Sequence, residues 1–142
     1  MRALLDVNVL IALLDSDHAL HGPAVAWFAA NAGHGWASCP ITQNGCVRVM
    51  SSPAYPGSQP VQVIIGRLAE ATAHPVHQFW PDDIALLDGS RVDAGRLHGP
   101  RQITDVYLLA LAVHRGGRFV TFDRAVDIAA VRGARPDHLL RL

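Results

Sequence analysis

The chain has 142 residues, of which 50% are apolar, and a formal net charge of zero. This length suits one domain with a substantial core, and the composition excludes an intrinsically disordered chain. The longest apolar runs, at 9–14 and 106–113, are far shorter than the roughly 20 residues of a membrane-spanning helix, and Asp6 and Asn8 interrupt any signal-peptide core, so a cytoplasmic protein without a membrane span is expected.

The charged residues are unusual in type and in distribution. All twelve basic residues are arginine, and eleven of the twelve acids are aspartate, so lysine-based catalysis is excluded. Residues 1–90 carry three Arg and seven acids, whereas residues 91–135 carry eight Arg and four Asp. The last third of the chain is therefore expected to present the basic surface that a polyanionic partner requires.

The first half of the chain predicts two strand–helix units with a further helix between them. The predicted elements begin with a strand at 2–5 and a helix with Asn8 as its N-cap. A second helix, with Pro23 in its first turn, runs to about Ala32, and a strand at 36–39 and a helix opening near Thr42 follow. The first strand ends directly at Asp6.

The second half continues the alternation. It predicts a helix at 60–73, a strand at 76–80, a short helix from Pro81-Asp82-Asp83 to Leu87, a loop at 89–102, a helix from Asp105 to about Arg115 capped by Thr104, a strand at 118–122 and an edge strand at Leu139-Leu140. Alternating strands and helices indicate an α/β fold, with a mainly parallel central sheet and helices on both faces. Ligands bind such sheets beyond the carboxyl ends of the strands.

Three aspartates fall at that predicted position. Asp6 and Asp123 each follow an apolar strand, and Asp105 lies in the first turn of the most apolar helix. Three crowded carboxylates repel one another unless a cation intervenes, and oxygen ligands favour Mg²⁺ or Mn²⁺, which also bind phosphate oxygens. The alternative interpretation is that each acid only caps a helix or a strand end.

Five segments, in this order, resemble the VapC branch of the PIN-domain family. They are Leu4-Leu5-Asp6-Val7-Asn8-Val9-Leu10-Ile11, Asp17-His18 with His21, Cys39-Pro40-Ile41-Thr42-Gln43-Asn44-Gly45, Ile103-Thr104-Asp105-Val106-Tyr107-Leu108-Leu109-Ala110, and Thr121-Phe122-Asp123. Together they span almost the whole chain. The resemblance implies a single PIN domain over residues 1–142, with the three-layer sandwich of that family.

The resemblance also implies an activity and partners. VapC proteins are Mg²⁺-dependent endoribonucleases, in which Mn²⁺ can substitute, and they act as toxins of toxin–antitoxin pairs. Transfer or ribosomal RNA is the expected substrate class, hydrolysed to 5′-phosphate and 3′-hydroxyl ends. The family pattern places Asp6, Asp105 and Asp123 as catalytic metal ligands. It further implies a homodimer, and a VapB-type antitoxin that inhibits cleavage.

One position departs from the family pattern. Many PIN domains have glutamate in the helix after the second strand, where this chain has Gln43, which is expected to be a weaker ligand. Asn8, Thr104 and Thr121 adjoin the acids and are candidates for orienting ligands or water, although Asn8 and Thr104 suit helix caps equally well. Gln43 supports an alternative function, a PIN-like module that binds RNA or protein but has lost catalysis.

Other residue patterns bear on function less directly. Arg96, Arg101 and Arg124 are candidates for contacts to RNA phosphates, or for pairing with nearby aspartates. The HxxH pairs His18/His21 and His74/His77 lack a third soft ligand, so zinc is not expected. Cys39 and Cys46 have no zinc spacing and are expected to be buried thiols. A receiver or dehalogenase-like domain is disfavoured, because both typically use a lysine that is absent here.

Overall fold

The computed structural model describes all residues 1–142, and it contains one five-stranded parallel sheet. The strands are β1 (Ala3–Leu5), β2 (Trp36–Ser38), β3 (His77–Phe79), β4 (Arg118–Thr121) and β5 (Leu139–Arg141). Their spatial order is β3-β2-β1-β4-β5, so β1 is central and β5 is an edge strand, as the sequence predicts. Every pairing is parallel, and Leu5 is in register with Val120.

Five α-helices surround this sheet. They are α1 (Val7–Leu14), α2 (His21–Asn31), α3 (Pro40–Met50), α4 (Val61–Thr72) and α5 (Ile103–His114). Short 3-10 helices lie at Ala32–His34, Ala94–Arg96, Pro100–Gln102, Ile128–Ala130 and Pro136–His138. No helix has both the length and the apolar character needed to cross a membrane.

Two hydrophobic cores lie on opposite faces of the sheet, because successive strand residues point to opposite sides. Leu4 and Phe119 pack on one face with α5, whose residues Val106–Ala112 are all buried. Leu5 and Val120 pack on the other face with side chains of α1, α3 and α4. This arrangement confirms the predicted fold class, an α/β sheet covered on both faces.

Two predicted helix caps are wrong. α1 begins at Val7, and its cap is Asp6, whose Oδ1 accepts a hydrogen bond from Val7 N at 2.7 Å. Asn8 is therefore a helical residue and not a cap. α5 begins at Ile103, directly after a 3-10 turn that carries the chain into the helix, so Thr104 is its second residue and caps nothing.

Two further boundaries differ from the prediction. α3 starts at Pro40, two residues before Thr42, because proline suits the first helical position and Thr42 Oγ1 accepts from Cys39 N. The helix predicted from Pro81 to Leu87 is absent. The Asp82 carboxyl interacts with Cys39 and the Ile41 backbone at the start of α3, while Asp83 pairs with Arg115 at 2.6 Å, so neither acid caps a helix of its own.

Candidate active site at the carboxyl edge of the sheet

The fold brings three aspartates to one edge of the sheet. Asp6 follows β1 and Asp123 closely follows β4, and these strands are adjacent and parallel. The backbone N–H of Asp6 donates to Val120 O at 2.9 Å, which extends the strand pairing up to the acid. Asp105 reaches the same edge from the first turn of α5.

Thr121 connects two of these acids. Its hydroxyl donates to Asp6 Oδ2 at 2.6 Å, and the same oxygen accepts from Asp123 N at 3.0 Å. Thr121 is fully buried and Asp6 is only 6% exposed, so water competes little for these bonds. The last residue of β4 therefore fixes the Asp6 carboxylate and the backbone of Asp123 relative to each other.

The electrostatics of the site raise the pKa of Asp105 and of Asp6. Burial, the charges of Asp6 and Asp123, and a hydrogen bond with the Asp123 carboxyl together raise the pKa of Asp105 to about 7. Burial also raises the pKa of Asp6, although its hydrogen bonds from Thr121 and Val7 act in the opposite direction. Every group that shifts the pKa of Asp105 raises it, so no cation of the chain offsets the crowding.

The three carboxylates are close enough to interact, but they do not form a ready-made ligand set. No group of three or more His, Cys, Asp or Glu side chains is arranged to hold an ion. Their hydrogen bonds give a physical reason, because Asp6 is bound to Val7 and Thr121 and Asp123 Oδ1 accepts from Ala125 N at 2.8 Å. Ligation of one ion by all three would need Asp105 or Asp123 to rotate.

A cavity of about 230 Å³ opens beside Asp105 and Asp123. Arg101 and Asp127 line it as well. Asp127 is exposed, and its Oδ1 accepts from Ala129 N at 2.9 Å, capping a short 3-10 helix. One of its two oxygens is therefore occupied by a structural role.

Of the three candidate arginines, only Arg101 lines this cavity, and the three differ in their ion pairs. Arg101 and Arg124 are exposed and form no ion pair. Arg96 is exposed too, but its Nε lies 3.9 Å from Asp93, which also neighbours Arg132. Exposed pairs of this kind contribute little stability, so Arg96 can exchange Asp93 for another anion.

Gln43 occupies a different surface from the cavity beside Asp105. It lines an open groove of about 880 Å³ between α3 and α4, and its Nε2 donates to Ser38 Oγ at 2.9 Å. α3 approaches α1 closely two residues later, where a Cβ on Gly45 would lie 2.7 Å from Val7 Cγ2. This contact places α3 next to the residue that follows Asp6.

The remaining sequence candidates form no side-chain hydrogen bond with the acids. Asn8 and Thr104 are exposed and enter no side-chain hydrogen bond. The sequence interpretation missed Ser38, which bonds both Gln43 and His77, because Ser38 and His77 lie 39 positions apart. The one available signal was the position of Ser38 at the end of a buried strand.

The histidine pair in the segment after α1 has a structural explanation. His18 Nδ1 accepts from Leu20 N at 3.0 Å, and His21 Nδ1 lies 2.7 Å from the carbonyl oxygen of Ala12 in α1. Both rings thus fix the turn between α1 and α2. Cys39 and Cys46 are free, buried thiols, and burial raises the pKa of each to about 11.

Known proteins resemble this chain over nearly its whole length. Residues 3–132 match the family model for the PIN domain. Ribonuclease VapC44 of Mycobacterium tuberculosis is 54% identical over 142 residues, covering 100% of both chains. Ribonuclease VapC39 of the same species is 44% identical over 134 residues, covering 94% of this chain and 96% of the relative.

Solved structures agree on the fold. The crystal structure of M. tuberculosis VapC20, a sarcin–ricin loop cleaving toxin, has a TM-score of 0.62 at 15% identity and covers 94% of this chain and 99% of its own. VapBC2 from Rickettsia felis, bound to a promoter DNA fragment, also has a TM-score of 0.62, at 12% identity, covering 99% and 98%. The chain therefore belongs to the PIN-domain family, and within it to the VapC toxins of VapBC toxin–antitoxin systems.

Proposed function

We propose that this protein is a divalent-metal-dependent endoribonuclease, the toxin of a toxin–antitoxin pair, with its active site at Asp6, Asp105 and Asp123. The observation that carries the proposal is the crowding of three carboxylates at the carboxyl edge of the sheet, where no cation of the chain offsets the raised pKa of Asp105. Full-length identity of 54% to a protein named as a ribonuclease supports the same activity.

The residues present fit a divalent cation. All donors are oxygens, which Mg²⁺ and Mn²⁺ prefer, and each oxygen of Asp6 keeps a free lone pair beyond its one hydrogen bond. Asp105 is a first-turn residue of α5 and makes no hydrogen bond to the backbone, so it can rotate towards an ion. Mg²⁺, when bound, would supply Lewis-acid chemistry, which activates water and neutralises charge on a phosphodiester.

The chain's own residues would prepare the site for that chemistry. Thr121 holds the Asp6 carboxylate in place and keeps it from rotating as substrate enters. Burial and the neighbouring acids raise the pKa of Asp105 to about 7, and loss of its proton would make the carboxylate available as a ligand. Arg101, Arg96 and Arg124 would contact RNA phosphates around the cavity and hold the strand.

The proposal includes two protein partners. A pocket of about 300 Å³ is lined by nine apolar residues of α1, α2, β2 and α4, among them Leu10, Leu13, Val25 and Phe28. Such a surface suits an amphipathic segment of a VapB-type antitoxin, which would inhibit cleavage. The VapBC2 complex among the structural neighbours supports an antitoxin partner. We also propose a homodimer, and action on cytoplasmic RNA, with transfer or ribosomal RNA as the target class.

The direct test is cleavage of a labelled RNA pool by purified protein with Mg²⁺, with Mn²⁺ and with EDTA. We expect metal-dependent fragments, and a loss of at least about 100-fold in Asp105→Asn. Glu70→Gln is the matched control, because Glu70 is an exposed, unpaired carboxylate on α4. Cleavage that survives Asp105→Asn, or that falls equally in Glu70→Gln, would contradict the proposed site.

The second candidate function is an RNA- or protein-binding module without catalysis. Gln43 favours it, because an amide stands where many PIN domains carry a carboxylate, and its Nε2 is already bonded to Ser38. Under this alternative, RNA binds but stays intact in both metals. Restoration of cleavage by Gln43→Glu would then identify the missing carboxylate as the cause.

A further inference from the structure

A small polar pocket opens at the amino edge of the sheet, where β1 and β4 begin. Its volume is about 170 Å³, and three of its six lining residues are polar. These are Asn31 at the end of α2, His34 in the 3-10 turn that follows, and Arg118 at the start of β4. No Asp or Glu lines the pocket, and none of its residues has a part in the function proposed above.

The pairing of β1 with β4 creates the space for this pocket. Ala3 lies opposite Arg118 in the parallel pair, and its small side chain leaves room beside the long arginine side chain. Arg118 precedes Val120 by two residues, so both side chains lie on the same face of the sheet. Trp27 of α2 packs against that face and lines the pocket as well. A strand pair and a helix therefore form its walls.

The charge of Arg118 is not satisfied within the chain. The residue is half-buried, its Nε is buried without a hydrogen-bond partner, and its guanidinium forms no ion pair. By contrast, Arg2 at the same edge donates to two backbone carbonyls. Burial of a cation is costly unless an acceptor faces it. Arg118 can therefore bind an anion that the chain itself does not supply.

The other polar groups of the pocket are also hydrogen-bond donors. Asn31 Nδ2 donates one hydrogen to the Trp27 carbonyl oxygen at 2.8 Å and keeps a second one. His34 is exposed, and even a neutral imidazole donates from one nitrogen. A phosphate monoester presents three unesterified oxygens in different directions, which suits donors from three elements. A carboxylate and a phosphodiester each present only two such oxygens.

We propose that this pocket binds a phosphate monoester group, with Arg118 as its charged ligand and with Asn31 and His34 as further donors. A guanidinium can bind phosphate through two parallel N–H···O bonds. The pocket is large enough, because about 170 Å³ far exceeds the roughly 10–15 Å³ that one water molecule needs. The site is separate from the three aspartates, so it does not depend on the proposed nuclease activity.

The first experiment titrates inorganic phosphate into the metal-free protein and follows the indole N–H of Trp27 by NMR, with that signal assigned by its loss in Trp27→Phe. We expect a saturable shift of the signal. Arg118→Gln should weaken phosphate affinity by at least about 10-fold, because it removes charge-assisted hydrogen bonds. A Trp27 signal that phosphate does not shift, or an affinity unchanged in Arg118→Gln, overturns the proposal.

The matched control is Arg48→Gln. Arg48 is an exposed arginine that also forms no ion pair, but it lines the groove between α3 and α4. We expect this variant to bind phosphate with the wild-type affinity. An equal loss in Arg48→Gln and Arg118→Gln would mean that phosphate responds to the total charge of the protein, and the pocket would not be the site.

A second variant keeps Arg118 in place. His34→Asp puts a carboxylate at the exposed rim of the pocket, where it can pair with the guanidinium and repel phosphate. We expect phosphate binding to fall by at least about 10-fold, as for the loss of one charge-assisted bond, while the melting temperature stays at or above that of the wild type. A His34→Asp variant that is folded and binds phosphate as tightly as the wild type contradicts the proposed site.

Two further ligands test the chemical class. Acetate and a short RNA without a terminal phosphate should each shift the Trp27 signal only at concentrations at least about 10-fold higher than phosphate, since a monoester carries about −1.5 to −2 charges and three acceptor oxygens. Equal binding of acetate would contradict the choice of phosphate. Tighter binding of the RNA at Trp27 would instead identify a contact to the nucleic-acid backbone, and would overturn the monoester site.

This proposal and the proposed function fail separately. Protein that cleaves RNA in a metal-dependent manner but shows no phosphate response at Trp27 contradicts the pocket alone. Protein that binds phosphate at Trp27 but cleaves no RNA contradicts the proposed function alone.

Discussion

The amino and carboxyl edges of the parallel sheet both hold charged side chains, but they satisfy those charges differently. At the amino edge, Arg2 donates from one guanidinium nitrogen to the carbonyls of Trp36 and Val76, at 3.2 and 2.6 Å. At the carboxyl edge, Asp105 faces the charges of Asp6 and Asp123 with no cation to offset them. The Arg2 charge is therefore satisfied within the chain, whereas the crowded carboxylates are not.

The difference separates a structural role from a functional one. A charge satisfied by neighbouring carbonyls contributes to a unique, stable fold. Crowded carboxylates lower the stability of the fold, and such destabilising arrangements are typical of functional sites. We therefore expect substitutions at the amino edge to change stability more than activity, and substitutions at the carboxyl edge to do the reverse.

The largest expected effect is at the carboxyl edge. Asp6→Asn should reduce RNA cleavage by about 100-fold or more, because it removes a charged ligand while keeping the shape of the side chain. Its melting temperature should stay close to that of the wild type, since the amide oxygen can still accept from Val7 N and the amide NH₂ can donate to Thr121 Oγ1. Cleavage rates and thermal melts of the same preparation test the expected loss of activity and the expected unchanged stability. Loss of folding in Asp6→Asn would break the comparison.

The amino edge should respond to Gly117→Ala with a loss of stability of about 1–3 kcal/mol. A Cβ there would lie 2.6 Å from the Arg2 carbonyl oxygen and 2.7 Å from the Trp80 ring, so the strand start must shift. Urea unfolding measures the loss, and cleavage well below the midpoint should stay near the wild-type rate.

Gly66→Ala is the control for this substitution. Gly66 lies within α4, and a Cβ added to it would have no neighbouring atom within 4 Å, so alanine there should raise stability by roughly 0.5–1 kcal/mol. Equal losses in both variants would show that the close approach at Gly117 is unimportant.

A smaller effect follows from the repulsion at Asp105. In the unfolded chain this acid ionises near pH 3.8, but in the folded protein only near pH 7, so metal-free stability should fall as pH rises through that window. Asp105→Asn removes the loss, and at pH 8 it should melt about 2–4 °C higher than wild type, as expected for roughly 1 kcal/mol.

Melting curves at pH 5 and pH 8, with and without Mg²⁺, test this prediction. Mg²⁺ should stabilise the wild type at pH 8 and have little effect on Asp105→Asn. A variant that melts lower than wild type at pH 8 would mean that Asp105 contributes more through its contacts than it costs through repulsion.

The smallest expected effect concerns the exposed cations beside the cavity. Arg124→Gln should weaken RNA binding by a few-fold and reduce the dependence of log affinity on log salt by about one. Arg135→Gln is the control, because Arg135 already pairs with Asp137 at 3.3 Å. Equal losses in the two variants would indicate a diffuse basic surface and not a defined strand path.

The sequence predicts the strands and the shared edge of the three acids because both depend on local pattern and on the alternation of elements. Strand–Asp junctions at Asp6 and Asp123 are readable residue by residue, and parallel pairing brings them together. The prediction of a helix cap at Asn8 is wrong because the helix begins directly after the strand, with Asp6 itself as the cap. Tertiary contacts explain the missing helix after Pro81, since Asp82 interacts with the start of α3.

The hydrogen-bond chain of Ser38 and His77 could not be predicted in the same way. In sequence, His77 belongs to the HxxH pair His74/His77 and has no visible relation to Ser38. In the fold, its ring turns away from that pattern to Ser38, and the pairing of β2 with β3 creates the contact. Such partners depend on strand register, which no local pattern in this chain specifies.

The close contact at Gly45 bears on how readily this site could be re-engineered. At Gly45, α3 has no side chain facing Val7, so the backbone of α3 packs directly against Val7. The two helices therefore cannot move closer together at this point. Exchanging the amide at 43 for a carboxylate would alter the charge of the site without moving its backbone. A methyl group added at Gly45 would push α3 away from Val7, and would move the backbone that carries Gln43 without altering Gln43 itself.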